Sequence, residues 1–120
     1  MSACYTGRVS PRPQIPEVTA LAVTDDMFVL DVREPDEWIA GHVSSAVHVP
    51  MMEVPTRCAE LPRDRDVVVV CRVGGRSAQV VAYLQAHGWD RAANLTGGMF
   101  AWQEAGRPVV GDDGQPGRVV

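Results

Sequence analysis

Val67-Val68-Val69-Val70-Cys71-Arg72-Val73-Gly74-Gly75-Arg76-Ser77 carries the reading of this chain. Four β-branched residues form its most hydrophobic strand, placed at the centre of a sheet. That strand delivers one cysteine into a loop of glycine and arginine. A helix-like stretch, Ser77–His87, follows, with Ala78, Val81, Ala82 and Leu84 on one face and Gly88 as its expected C-cap. The unit is therefore strand–loop–helix with a thiol at its mouth.

The same alternation extends outward in both directions. Met27–Val32 reads as a buried strand, and Pro35–Ala40 as a helix that starts on its proline and closes at a Gly41 C-cap. Ala46–Val49 is a third strand, ended by Pro50. Met51–Leu61 is mostly helical with Pro55 as an interruption, and residues 63–66 form a solvated turn. Ala92–Leu95 is a strand and Met99–Ala105 a short helix. Ile15–Val18 is a strand confined by Pro16 to an edge, and Thr19–Val23 a short helix. Strands that alternate with helices predict an α/β fold, a five-stranded parallel sheet with helices on both faces. Ligands in such sheets sit outside the carboxyl ends of the strands. Three loops should meet there: 31–34, 71–76 and 96–98. Residues 1–14 are expected as a flexible leader, 15–110 as the domain, and 111–120 as a loose tail.

Composition narrows the function. The chain has 120 residues, 46% of them hydrophobic and 22% charged, with a net charge of −4. That balance argues against nucleic-acid binding by phosphate neutralisation. All eleven basic residues are arginine, which excludes lysine Schiff-base chemistry. No apolar run reaches transmembrane length, and the first residues lack the apolar segment of a signal peptide. The three cysteines, Cys4, Cys58 and Cys71, are odd in number and lack a C-x-x-C pair. That pattern predicts no disulfide framework and a reducing, cytoplasmic setting. No residues show metal-ligand spacing, and no cofactor is expected.

Cys71 is set up to react. A thiol between a strand end and a helix N-terminus faces the positive end of that helix. Gly74 and Gly75 allow successive amides to turn inward as a nest for an anion. Arg72 and Arg76 add fixed charge, and the Ser77 hydroxyl offers one more hydrogen bond. All of these favour thiolate, so the Cys71 pKa should be lowered. Loop length separates two chemistries. Cysteine phosphatases place five residues between cysteine and arginine, whereas here Cys71 and Arg76 enclose four. The tighter loop suits a terminal sulfur better than a phosphoryl group.

Three blocks resemble the single-domain rhodaneses, a sulfurtransferase family. They are Asp31–Ala46 (DVREPDEWIAGHVSSA), Cys71–Ser77 (CRVGGRS) and Asn94–Trp102 (NLTGGMFAW), in that order within about residues 17–110. The resemblance implies the rhodanese-like fold and a persulfide intermediate on Cys71. The Cys71 thiolate would take sulfur from a small anionic donor, thiosulfate, and pass it to cyanide or a thiol. The expected substrate-binding residues are Arg72, Val73, Gly74, Gly75, Arg76 and Ser77, with Arg72 and Arg76 guiding the anion. Asp31 and Arg33 match the family's Asp-x-Arg and are read as a supporting ion pair beside Glu37 or Cys71. The alternatives are a sulfur-relay protein loaded by a protein persulfide donor and, less favoured by the short loop, a phosphatase or arsenate reductase. His42 is expected as a structural histidine, His48 and His87 as partly exposed, Trp38 and Trp102 as core, and Cys58 as packing.

Overall fold

The computed structural model describes residues 15–120. The predicted leader lies outside them. Five strands alternate with four helices: β1 (Glu17–Val18), β2 (Phe28–Asp31), α1 (Pro35–Ala40), β3 (Val47–His48), α2 (Val54–Arg57), β4 (Val67–Val70), α3 (Gly75–Ala86), β5 (Ala92–Leu95) and α4 (Gly98–Glu104). The strands form one sheet in the order β1-β5-β4-β2-β3, and every pairing is parallel. β4 is central, and its four valines are buried on both faces. The two-residue period of the strand divides them. Val67, Val69 and Cys71 join Leu30, Val54, Val80, Val81, Leu84 and Trp89 on the α2–α3 side. Val68 and Val70 join Val29, Leu95, Met99 and Trp102 on the α4 side. The strands and helices follow the sequence pattern to within a residue or two at most ends. Among the described residues no helix is long and apolar enough to cross a membrane.

Several local readings change. α3 begins at Gly75, two residues before Ser77, because Gly74 takes the N-cap position with φ 114°. Pro55 does not break a helix; it sits in the first turn of α2, where its missing N–H is no loss. The flanking turns, Met51–Glu53 and Cys58–Glu60, are 3₁₀, as is Ala20–Ala22. Gly41 is the C-cap of α1 as expected, its amide donating to the Glu37 carbonyl, but not in a left-handed conformation. Its φ is 176°, which any residue adopts, and the glycine is required for space: a Cβ there would lie 2.4 Å from the Arg118 carbonyl oxygen.

The closing segment, expected as a loose tail, is hydrogen-bonded along its length. Val110 and His42 exchange backbone bonds of 2.8 and 2.9 Å, and the Gly117 and Arg118 amides donate to the carbonyls of Val109 and Ala40. The Val119 amide donates to Gln103. Composition marked these residues as loop; it carried no sign that loop backbone would find partners on α1 and α4.

The aromatic and histidine readings also resolve. Trp102 is buried, while Trp38 is only half-buried and stacks on the His42 and His48 rings at 3.6 and 4.8 Å between centroids. His42 Nδ1 pairs with the Trp38 carbonyl, and His87, expected at the surface, is buried with Nδ1 on the Tyr83 carbonyl. Cys58 is buried and disulfide-bonded. The expectation of no disulfide fails there, because spacing in sequence says nothing of proximity across a fold.

Candidate active site

Cys71 follows the last residue of β4 and is fully buried. The loop after it is short because Gly74 turns the chain directly into α3 with a left-handed φ that other residues resist. This turn aims the Gly74 amide at Cys71 Sγ, 3.0 Å away. Ser77, on the first turn of α3, places its hydroxyl 3.2 Å from the same sulfur. The helix N-terminus points its positive end at the thiol from the same side. Burial pushes the Cys71 pKa up, but the Ser77 hydroxyl and the amides of Ser77, Gly74 and Val73 outweigh it, and the thiol is lowered overall.

A lowered thiol pKa has a definite pH signature. Alkylation of Cys71 should rise with pH through a midpoint below the value of about 8.5 for an ordinary cysteine. Ser77→Ala should move that midpoint upward, and a midpoint unchanged by the substitution would remove the hydroxyl from the account. The linked stability follows the acid case: it is present above the unfolded-state pKa and is lost as pH falls through the folded one.

The loop is also gripped from outside. The Met99 and Phe100 amides, at the N-terminus of α4, donate to the Cys71 and Arg72 carbonyls at 2.8 and 3.0 Å. With those carbonyls turned outward, loop amides are left facing the sulfur. The close approach needs Gly98, since a Cβ there would sit 2.5 Å from the Cys71 carbonyl oxygen. Behind Ser77 stands Asn94 of β5, with Oδ1 2.5 Å from the hydroxyl. Its Nδ2 donates to the Gly74 carbonyl and to Glu17 Oε2, each at 3.2 Å.

The arginines divide. Arg76, expected to guide an anion, is forked onto Glu37 at 2.9 and 3.0 Å and so braces α3 to α1. Arg72 is exposed, and its Nε donates to the Val120 carbonyl. Val73 is exposed at the loop tip, and Gly75 has open space where a Cβ would be.

Asp31 and Arg33 are both fully buried and paired at 2.8 Å. Arg33 also donates to the Gly41 carbonyl, which ties the end of β2 to the exit of α1. The pair was expected beside Glu37 or Cys71. Its hydrogen bonds run to the Gly41 carbonyl and within the pair, while the Arg33 charge also helps to hold the Glu37 pKa down.

Asn94 carries no expected role in the sequence. The signal was present: a polar residue inside the apolar strand Ala92–Leu95 must find partners once buried. Glu37 and Gly98 were likewise in view, but their partners lie on elements far off in sequence.

A parallel α/β sheet that presents a low-pKa cysteine in a six-residue amide loop defines a thiol-based group-transfer domain. Residues 16–105 match the model of the rhodanese-like domain, and the chain belongs to that family. It is 45% identical over 94 residues to a sulfurtransferase of Allochromatium vinosum, covering 78% of this chain and 88% of that one. A putative sulfurtransferase of Bacillus subtilis, YtwF, is 36% identical, over 70% of this chain and 81% of its own. Among solved structures, a rhodanese-related protein of Thermoplasma volcanium superposes with a TM-score of 0.74 at 34% identity, covering 79% of this chain and 97% of that one.

Proposed function

We propose that the chain is a thiosulfate sulfurtransferase that works through a persulfide on Cys71. The observation that carries this reading is the pair of donors, the Gly74 amide and the Ser77 hydroxyl, converging on one buried sulfur. Donors placed on a sulfur favour its anion and need no adjacent base.

In the first half-reaction the Cys71 thiolate attacks the outer sulfur of thiosulfate. A bond forms between Sγ and that sulfur, the original S–S bond breaks, and sulfite leaves with the electron pair. The outer sulfur keeps one negative charge, which the loop amides stabilise. In the second half-reaction cyanide or a thiolate attacks the outer sulfur, and Cys71 departs as thiolate. Because Cys71 is buried, the transferred sulfur must enter the loop for the bond to form. Arg72 is the cation for the incoming donor, since Arg76 is already neutralised by Glu37. No step calls on a metal or cofactor.

A protein persulfide is the second reading for the donor. Val73 and Phe100 are 58% and 47% exposed beside the loop, an apolar rim that a thiosulfate ion has no use for.

Intact mass tests the proposal. Incubation with thiosulfate should add one sulfur to the wild type and none to Cys71→Ser. No gain on the wild type, or an equal gain on the variant, overturns the persulfide. Loading by a protein persulfide but not by thiosulfate selects the second reading.

A further inference from the structure

We propose that Asn94 is a positioning residue: it competes with Cys71 for the single proton of the Ser77 hydroxyl and so sets how readily the sulfur becomes an anion. Asn94 and Ser77 are 4% and 0% exposed, so water does not satisfy them. The orientation of the Asn94 amide is fixed by chemistry. Its Nδ2 faces a carbonyl, Gly74, and a carboxylate, Glu17, which only accept. The Thr96 hydroxyl holds the other oxygen of that carboxylate at 2.8 Å, which keeps it in place. Oδ1 is thereby turned to Ser77 Oγ at 2.5 Å, and it too can only accept. Cys71 Sγ lies 3.2 Å from the same hydroxyl. Two acceptors face one proton.

The state of the sulfur decides between them. A thiol, or the inner sulfur of a persulfide, is a weak acceptor, and the proton lies toward Asn94. A thiolate is charged and draws the proton to itself, which leaves the buried Oδ1 without a donor. Asn94 thus favours the neutral forms of Sγ, while Ser77 favours the anion. When an acceptor bonds to the outer sulfur and the pair of the broken bond returns to Sγ, the hydroxyl swings from Asn94 to the leaving sulfur. This part of the argument rests on the persulfide reading; the competition for the proton does not.

Among the described residues, the charged groups on the elements packed around Cys71 include Glu17 on β1, Arg72 in the loop, Arg76 on α3 with its partner Glu37 on α1, and the Asp31–Arg33 pair at the end of β2. Each has a partner of its own: the Val120 carbonyl for Arg72, Glu37 for Arg76, Asp31 for Arg33, and the Asn94 and Thr96 side chains for Glu17.

The test is the pH dependence of iodoacetamide alkylation at Cys71, read by mass on the Cys71 peptide of the full chain. Asn94→Leu should shift the profile to lower pH, raising alkylation below the wild-type midpoint by several-fold, up to about tenfold, as expected for one hydrogen bond. The same substitution in a Ser77→Ala background should give no such gain. An unchanged or upward-shifted profile overturns the proposal, as does an equal gain without Ser77. Asn94→Ala repeats the measurement if the leucine does not fold. In the wild type, the Asn94 side-chain amide signal should titrate together with Cys71, and should cease to do so in Ser77→Ala; independence of the two in the wild type also overturns it. Alkylation needs no sulfur donor, so a failure here is distinct from a failure to load from thiosulfate.

Discussion

Gly98→Ala should lower sulfur transfer through Cys71 by about 100-fold, the loss expected when a reacting group is displaced by roughly an ångström. The new Cβ would lie 2.5 Å from the Cys71 carbonyl oxygen and 2.6 Å from that of Arg72. Both are backbone atoms of the Cys71 loop, so no flexible side chain can yield. Either the loop or α4 must move, and the Met99 and Phe100 bonds that orient the loop lengthen with it. The φ of 62° adds a left-handed strain of about 1–2 kcal/mol for a non-glycine residue. Gly106→Ala separates the two effects, since it shares a positive φ of 79° but meets nothing within 4 Å. It should lose only the stability due to strain and keep its transfer rate. The measurements are thermal unfolding and thiocyanate production from thiosulfate and cyanide. Equal rates for the two variants would show that the close approach at Gly98 does not hold the loop.

Asp31→Ala should be the most destabilising single change at the site. Arg33 is wholly buried, and Asp31 supplies its only salt bridge among the described residues. Its Nη1 already has no hydrogen bond there. Removing the carboxylate leaves a buried guanidinium held by the Gly41 carbonyl alone, at a cost of about 3–5 kcal/mol. Against the roughly 5–15 kcal/mol that stabilises a domain, this is a large fraction. Denaturant unfolding should therefore show a much lower midpoint. The double variant Asp31→Leu with Arg33→Met should recover much of the loss, because it removes both charges and keeps the volume. A single variant no worse than about 1 kcal/mol would mean that water reaches Arg33, and that the pair is not a brace.

The central strand and its loop were legible from Val67–Ser77 alone. Four valines have only one comfortable environment, and glycines beside arginines have no place in a core. The loop's donors, Gly74 and Ser77, were legible too, because the contacts are local in sequence. What was not legible depends on contacts between distant segments. Arg76 looks the same in sequence whether it faces solvent or Glu37, thirty-nine residues away. Gly41 does cap its helix, but the need for glycine there comes from Arg118 crossing it. Asn94 looks like a strand residue until Ser77 and Glu17 are placed on either side of its amide.

The pairing of β1 with β5 has a consequence for the order in which this protein becomes active. Glu17 is in register with Asn94, so the first strand of the sheet docks on the last. Such a closure spans most of the chain and belongs to the slow, non-local part of folding. A nascent chain that ends near residue 90 already contains Cys71, Gly74 and Ser77, but not Asn94, Met99 or Phe100. The thiol is then present without the strand and helix that shape its surroundings. The bonds from Met99 and Phe100 that orient the loop, and the Asn94 side chain that faces Ser77, thus arrive only when the end of the sheet has closed.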